Sequence, residues 1–175
     1  DELSADAWLQ RLAADNILVG EYWAHLLVRQ DLGRAPVALA RAYTIVAAAL
    51  ERGNTLFLCG NGGSLSDALH ISGELLKSFR MRRPLPDELA ARLRAQPMGN
   101  ELADNLQAGL RAHVLGINPS LASAVNNDIP LTGALFAQEL VGLGRPGDVL
   151  MGISTSGGAV NVRQAVSVAK ALGMT

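Results

Sequence analysis

Two short apolar runs, Thr55–Cys59 and Val149–Ile153, each pass directly into a turn of glycine and small hydroxyl residues and then into a helix-forming stretch. This strand–turn–helix order, occurring twice, constrains the fold more than any other feature. Continuous apolar runs of this length fit strands covered on both faces, as in a parallel sheet. His113–Ile117 reads as a further strand. Helices are predicted from Ser64 to about Phe79, over Ser120–Asn127, over Thr132–Leu143 and over Ala159–Leu172. The alternation predicts an α/β fold, a Rossmann-like three-layer sandwich with a parallel sheet and helices on both faces.

Two N-terminal helices precede the first strand. Residues from about 5 to 30 carry Trp8, Leu9, Leu12, Ile17, Tyr22, Trp23, Leu26 and Leu27 at helical spacing. A second helix follows Pro36 and runs through Leu50, where Gly53-Asn54 ends it. Their apolar surface either packs on its own domain or forms a bundle with another subunit. The expected organisation is a single domain over 1–175, with a helical oligomerisation segment at 1–52 and a ligand-binding core at 53–175. In the core, 81–110 is the weakest stretch. Pro84, Pro86, Pro97 and Gly99 punctuate a polar, Arg-rich run with one short helix at about 86–95. Gly173-Met174-Thr175 falls where another strand is expected to begin, so the C-terminal part of the domain is expected to be missing.

Composition narrows the functions. A chain of 175 residues, 49% hydrophobic, can bury a proper core. A net charge of −1 gives no footprint for a polyanion, and 4% aromatic content gives no surface for base stacking, so no nucleic-acid partner is expected. Three His and one Cys exclude a Cys-rich zinc module and a disulfide framework. The single Cys59 fits a reducing compartment. No apolar run is long enough to span a bilayer, and no basic-then-apolar leader is visible. A cytoplasmic protein without a membrane partner is expected.

The first turn is Gly60-Asn61-Gly62-Gly63. Three glycines let the backbone bend with positive φ and approach a ligand closely. Ser64 reads as the helix N-cap, and Asp67 completes a capping-box-like pattern. Free N–H groups and the helix dipole at such an end attract anions. A dinucleotide fingerprint would need glycine where Leu65 stands, and a phosphate-binding P-loop would need a Lys before Ser64. A sugar or a lone phosphate fits better than a nucleotide. The other reading is a tight turn that simply needs small residues.

The second turn, Ser154-Thr155-Ser156-Gly157-Gly158, offers three hydroxyls and backbone N–H groups. Such a set makes a neutral phosphate cradle in which dipoles replace Lys or Arg. The alternative is redundant capping. Two such turns at strand C-termini of one sheet favour the ligand, because open α/β sheets bind there.

His70 and Glu74 lie four apart on the helix after the first turn, which puts them on one face. A carboxylate there can move a proton between adjacent carbons of a hydroxy-carbonyl sugar. The pair can also supply two ligands to a divalent metal, or it can be an ordinary surface hydrogen-bonded pair. His25 and His113 have no comparable partner in sequence and read as core or surface histidines.

The run Cys59-Gly-Asn-Gly-Gly-Ser64, with Asp67, Ala68, His70, Glu74 and Leu75, resembles the phosphoheptose isomerases, sedoheptulose-7-phosphate isomerases of the SIS (sugar isomerase) fold. Asn127-Asp128, the run Leu143–Leu150, Ile153–Gly157 and Asn161-Val162 agree with the same family, so the resemblance runs from about 35 to 172 with a break at 81–110. It implies that Asn61, Gly62, Gly63 and Ser64 contact the sugar phosphate. It implies that His70 and Glu74 are ligands of zinc or another divalent metal, and that Glu74 is the catalytic base, also touching substrate, that carries the proton through an enediol. Asn127 and Asp128 would hold sugar hydroxyls, and Ser154, Thr155 and Ser156 would grip the phosphate. The partner is then a small-molecule sugar phosphate, and the assembly a homotetramer built partly through N-terminal helices.

There are departures. The family has Ser where Ala159 stands and Arg where Ser78 stands. Its later Gln and His, the remaining metal ligands and the general acid, fall beyond residue 175. Ala159, Ser78 and the altered 81–110 segment leave a second reading open. That reading is a non-catalytic SIS module that binds a sugar phosphate or a partner such as a replication initiator, or an isomerase of another sugar phosphate.

Overall fold

A strand buried along its whole length anchors the architecture. In the computed structural model, which describes residue 14 and residues 17–175, β1 (Leu56–Gly60) is buried at every position. β2 (Ala112–Val114) and β3 (Val149–Ile153) flank it in the order β2-β1-β3, and both pairings are parallel. Leu56 stands opposite Ala112 on one side and Val149 on the other. The expected parallel α/β sheet is therefore present.

Two units make up the chain, Asp1–Ala48 and Ala49–Thr175. The first holds α1 (Ile17–Leu27), a single 3₁₀ turn (Gln30–Leu32) and most of α2 (Ala35–Glu51). Pro36 sits in the first turn of α2, where its missing N–H costs no helical bond. Buried Trp23 meets Tyr43 edge-to-face, with centroids 6.3 Å apart. Trp8, Leu9 and Leu12 of the predicted first helix lie outside the described residues.

In the second unit the helices are α3 (Gly63–Leu76), α4 (Asp87–Arg94), α5 (Gly99–Asn105), α6 (Pro119–Asp128), α7 (Leu135–Leu143) and α8 (Val160–Ala171). Alternation along β1 divides the core. Phe57 and Cys59 face α7 and α8, packing in one cluster with Leu115, Phe136, Leu140, Val162, Ala165 and Ala169. Leu56 and Leu58 point to the other face, where α3 packs on the sheet with Ala68 fully buried. Gly152 lets α8 settle onto β3, since a Cβ there would stand 2.6 Å from Val162 Cγ1.

Asp148 sets the start of the sheet. Its buried carboxylate accepts the Thr55 N–H through Oδ1 at 2.8 Å and the Arg145 N–H through Oδ2 at 2.9 Å. On the far edge of β3, Thr175 donates to the Asp148 carbonyl at 3.0 Å and accepts from the Leu150 N–H at 2.9 Å. Among the described residues no helix is long and apolar enough to cross a membrane.

Three predicted boundaries move. α3 ends at Leu76 rather than Phe79, because Arg83 reaches back and takes its last carbonyls: Nη2 donates to Leu75 O at 2.6 Å and to Glu74 O at 3.3 Å. β2 is shorter than His113–Ile117, because Gly116 turns away at φ 87° and its N–H goes to Glu139 Oε2 at 2.7 Å. α7 begins at Leu135 rather than Thr132, since Gly133 holds a turn at φ 78°.

The segment 81–110 folds as a hairpin of α4 and α5, so it holds one helix more than predicted. Gly99, read as punctuation, opens α5. A Cβ there would lie 1.8 Å from the Leu93 carbonyl oxygen, so the close packing of α5 under α4 requires glycine. Arg83 Nε also donates to Ala108 O at 3.0 Å, and the Leu110 N–H donates to Leu75 O at 2.8 Å.

Candidate functional site

The β1–α3 turn is built by glycine. A Cβ on Gly60 would stand 2.8 Å from the backbone of Ser64, so the turn doubles back on itself only without one. Gly62 takes φ 55° and ψ −120°, a conformation that L side chains avoid. Gly62, not Ser64, is the N-cap of α3, and no side chain caps this helix. Ser64 instead lies in the first turn, its N–H donating to Asn61 O at 3.1 Å, and the expected capping role of Asp67 is absent. The N–H groups of Gly62 and Gly63 find no acceptor among the described residues. They remain as donors at the positive end of α3, on an exposed turn.

The run after β3 does not open its helix directly. Ser154 is half-buried and Thr155 and Ser156 are exposed. Ser156 Oγ accepts the Gly158 N–H at 3.2 Å, Gly157 turns at φ 65°, and Ala159 is the N-cap of α8 with no side-chain bond. The hydroxyls thus form a loop ahead of the helix, not its cap. A cleft of about 680 Å³ opens beside this loop, lined by Ser154, Gly157, Val160, Arg163 and Gln164 among others; Asn61, His70 and Glu74 do not line it.

The two turns meet. Asn61 Nδ2 donates to Asn161 Oδ1 at 3.1 Å, and Asn161 Nδ2 donates to Asn61 Oδ1 at 2.8 Å. Neighbouring parallel strands bring these residues, 100 apart in sequence, to the same edge of the sheet.

On α3, His70 Nε2 lies 3.3 Å from Glu74 Oε1, with the His side chain 78% exposed and the Glu side chain 38% exposed. Two ligands of one tetrahedral ion, each at roughly 2.0–2.1 Å, stand about that far apart. The pair can therefore chelate, as two ligands of a larger set. Among the described residues no group of three or more His, Cys, Asp or Glu gathers.

Asn127 and Asp128 end α6, both exposed, with Asn127 Nδ2 donating to Asp128 Oδ1 at 2.8 Å. The loop that follows them reaches α8. Gln164 Nε2 donates to Thr132 O at 3.0 Å, and a Cβ on Gly133 would touch Asn161 Cβ at 3.2 Å.

Sequence reasoning missed three arrangements. His113, taken as unpartnered, sets Nε2 2.9 Å from Oε1 of buried Glu139 and packs edge-to-face on Phe57. Ser78, which replaces an expected Arg, is buried and donates to Gln107 Oε1, so it is occupied away from α3's exposed face. Asn161 entered only as part of a matching run. Nothing in local periodicity signals pairs so distant in sequence.

Residues 32–119 match the family model described as SIS domain. A phosphoheptose isomerase of Tolumonas auensis is 35% identical over 161 residues, covering 85% of this chain and 70% of that protein. The chain belongs to the phosphoheptose isomerase family of SIS domains. A phosphoheptose isomerase of Crocosphaera subtropica is 36% identical over 137 residues, 78% of this chain and 57% of that protein. The solved phosphoheptose isomerase of Francisella tularensis superposes with a TM-score of 0.63 at 26% identity, over 93% of this chain and 72% of that one. The chain spans about half the length of several curated phosphoheptose isomerases that it matches.

Proposed function

We propose that this SIS domain works as an aldose–ketose isomerase, converting sedoheptulose 7-phosphate to a heptose 7-phosphate by proton transfer through an enediol. The observation that carries the proposal is the His70–Glu74 pair, 3.3 Å apart on the helix that the Gly-rich turn opens. A helix whose first turn offers free N–H donors and whose next turns offer a base is suited to a substrate with a phosphate at one end and a carbonyl at the other.

In this reading Asn61, Gly62, Gly63, Ser64, Ser154, Thr155 and Ser156 hold the phosphate, and Asn127 and Asp128 hold sugar hydroxyls. The Glu74 carboxylate takes the proton from C1 of the ketose while O2 receives one from a separate acid. Glu74 then returns its proton to C2 as O1 gives one up, which leaves the aldose. His70 and Glu74 would also hold zinc or another divalent metal, which supplies charge for the oxygens of the enediol. The site belongs to a cytoplasmic homotetramer assembled partly through residues 1–52, a reading supported by the exposed Leu39, Tyr43 and Ile45 of α2.

The test is an isomerase assay of the full-length protein with sedoheptulose 7-phosphate in deuterated water. Aldose phosphate is the expected product, with deuterium at C2 in the fraction of turnovers in which the Glu74 carboxyl exchanges its proton with solvent before returning it. Binding of the sugar phosphate without turnover would instead favour a non-catalytic SIS module, the reading to which Ala159 and the buried Ser78 give weight.

A further inference from the structure

Asn161 is the second residue of α8, and its carboxamide is committed on both sides. Its Oδ1 accepts the Val162 N–H at 3.0 Å and the Asn61 Nδ2 at 3.1 Å, while its Nδ2 donates to Asn61 Oδ1 at 2.8 Å. The first of these bonds fixes the rest. A backbone N–H can only donate, so the Asn161 atom facing Val162 must be the oxygen. The neighbouring Asn61 atom must then be its nitrogen, and Asn61 cannot exchange its donor and acceptor ends. A primary amide has two N–H groups. Asn161 occupies one, and the second stays free on an exposed turn beside the free N–H groups of Gly62 and Gly63.

The same residue is hemmed in from the third side. Gly133 approaches so closely that a Cβ would stand 3.2 Å from Asn161 Cβ, and Gln164 ties Thr132 of that loop to α8. Asn161 therefore sits where the Gly-rich turn, the segment after β3 and the loop after Asn127-Asp128 converge.

We propose that Asn161 is the positioning residue of the sugar-phosphate site, acting through Asn61 to orient its free amide hydrogen and hold the Gly-rich turn ready for the anion. The proposal rests on the function proposed above. Asn161 need not touch the ligand. Without it, Asn61 rotates freely and the turn must be ordered on binding, which weakens affinity.

The experiment is calorimetric titration of sedoheptulose 7-phosphate into the parent protein and the variants Asn161→Ala, Asn161→Ser, Asn61→Ala and Asn61→Ala/Asn161→Ala. Asn161→Ala is expected to bind about tenfold more weakly, the effect of losing one to two hydrogen bonds. In the Asn61→Ala background, removing Asn161 is expected to add less than about twofold, because its route to the ligand is already gone. A general loosening of the fold would multiply the two losses, and that outcome overturns the proposal. If Asn161→Ala does not fold, Asn161→Ser carries the same expectation, since its hydroxyl is too short to reach Asn61. A parent that binds while Asn161→Ala or Asn161→Ser is unchanged overturns the positioning role alone. A parent that does not bind overturns the site itself, and the positioning role with it.

Discussion

His70 Nε2 stands 3.3 Å from Glu74 Oε1 across one turn of α3. In the proposed reaction these residues have separable duties. Glu74→Gln keeps the shape but removes the base, so it is expected to lower kcat by about 10³-fold while leaving sugar-phosphate binding largely intact. His70→Ala is expected to weaken zinc binding, read by competition with a chromophoric chelator. Full turnover by Glu74→Gln would remove it from the chemistry.

Gly62 and Gly63 are neighbours with opposite requirements. Both have open space where a Cβ would go, but Gly62 alone takes φ 55°. Gly62→Ala is expected to cost about 1–3 kcal/mol from backbone strain. Gly63→Ala, in ordinary helical conformation, is expected to be near neutral. Urea denaturation of the two variants checks this, and equal costs would count against a conformational cause.

Asp148 holds two backbone donors with one buried carboxylate. Asp148→Ala leaves the Thr55 and Arg145 N–H groups without that acceptor, at a cost of about 2–4 kcal/mol. Asp148→Asn retains one acceptor oxygen and is expected to lose less. The order of the urea midpoints, parent above Asn above Ala, is the measurement.

Glu139 makes the same point on the opposite edge of β1. Its carboxylate joins His113 to the Gly116 N–H. Glu139→Ala strands that N–H and is expected to lower stability by about 2–3 kcal/mol, with Glu139→Gln milder. Thermal melting that does not separate the two variants would show that the carboxylate is not the determinant.

Burial pushes the Cys59 thiol up to about 11 from an ordinary value of 9.0. Below about 9 both folded and unfolded chains keep the proton, and the thiol contributes nothing to pH dependence. Between 9.0 and about 11 the unfolded chain releases it while the folded chain does not, so stability falls as pH rises. Urea midpoints from pH 8 to 11 are expected to fall more steeply for the parent than for Cys59→Ala. Iodoacetamide is expected to label the thiol only on unfolding.

What the sequence disclosed follows from what is local in it. Leu56–Gly60 was legible because both faces of this strand are covered, which leaves an unbroken apolar run; Val149–Ile153 carries a similar run although only Val149 is buried. His70 and Glu74 were legible because helical spacing alone brings them together. The cap was misread at the first turn. Ser64 has capping chemistry, but the conformation of Gly62 makes Gly62 the N-cap, whereas the helix after Ser154–Ser156 begins where Ala159 was expected to start it. α5 was invisible because Gly99 is selected by the Leu93 carbonyl above it, a contact that propensity does not record. The Asn61–Asn161 pair depends on the parallel register of β1 and β3, which no local pattern encodes.

Arg83 and Leu110 fasten both ends of the α4–α5 hairpin to the same final turn of α3. To the rest of the domain that excursion is a closed loop, tied back where it leaves and where it returns. Its length and composition can therefore vary with little thermodynamic effect on the helix that carries His70 and Glu74, because enlarging a closed loop costs only slowly growing entropy. A cut at its exposed tip, near Met98, would leave two fragments that still share one anchor.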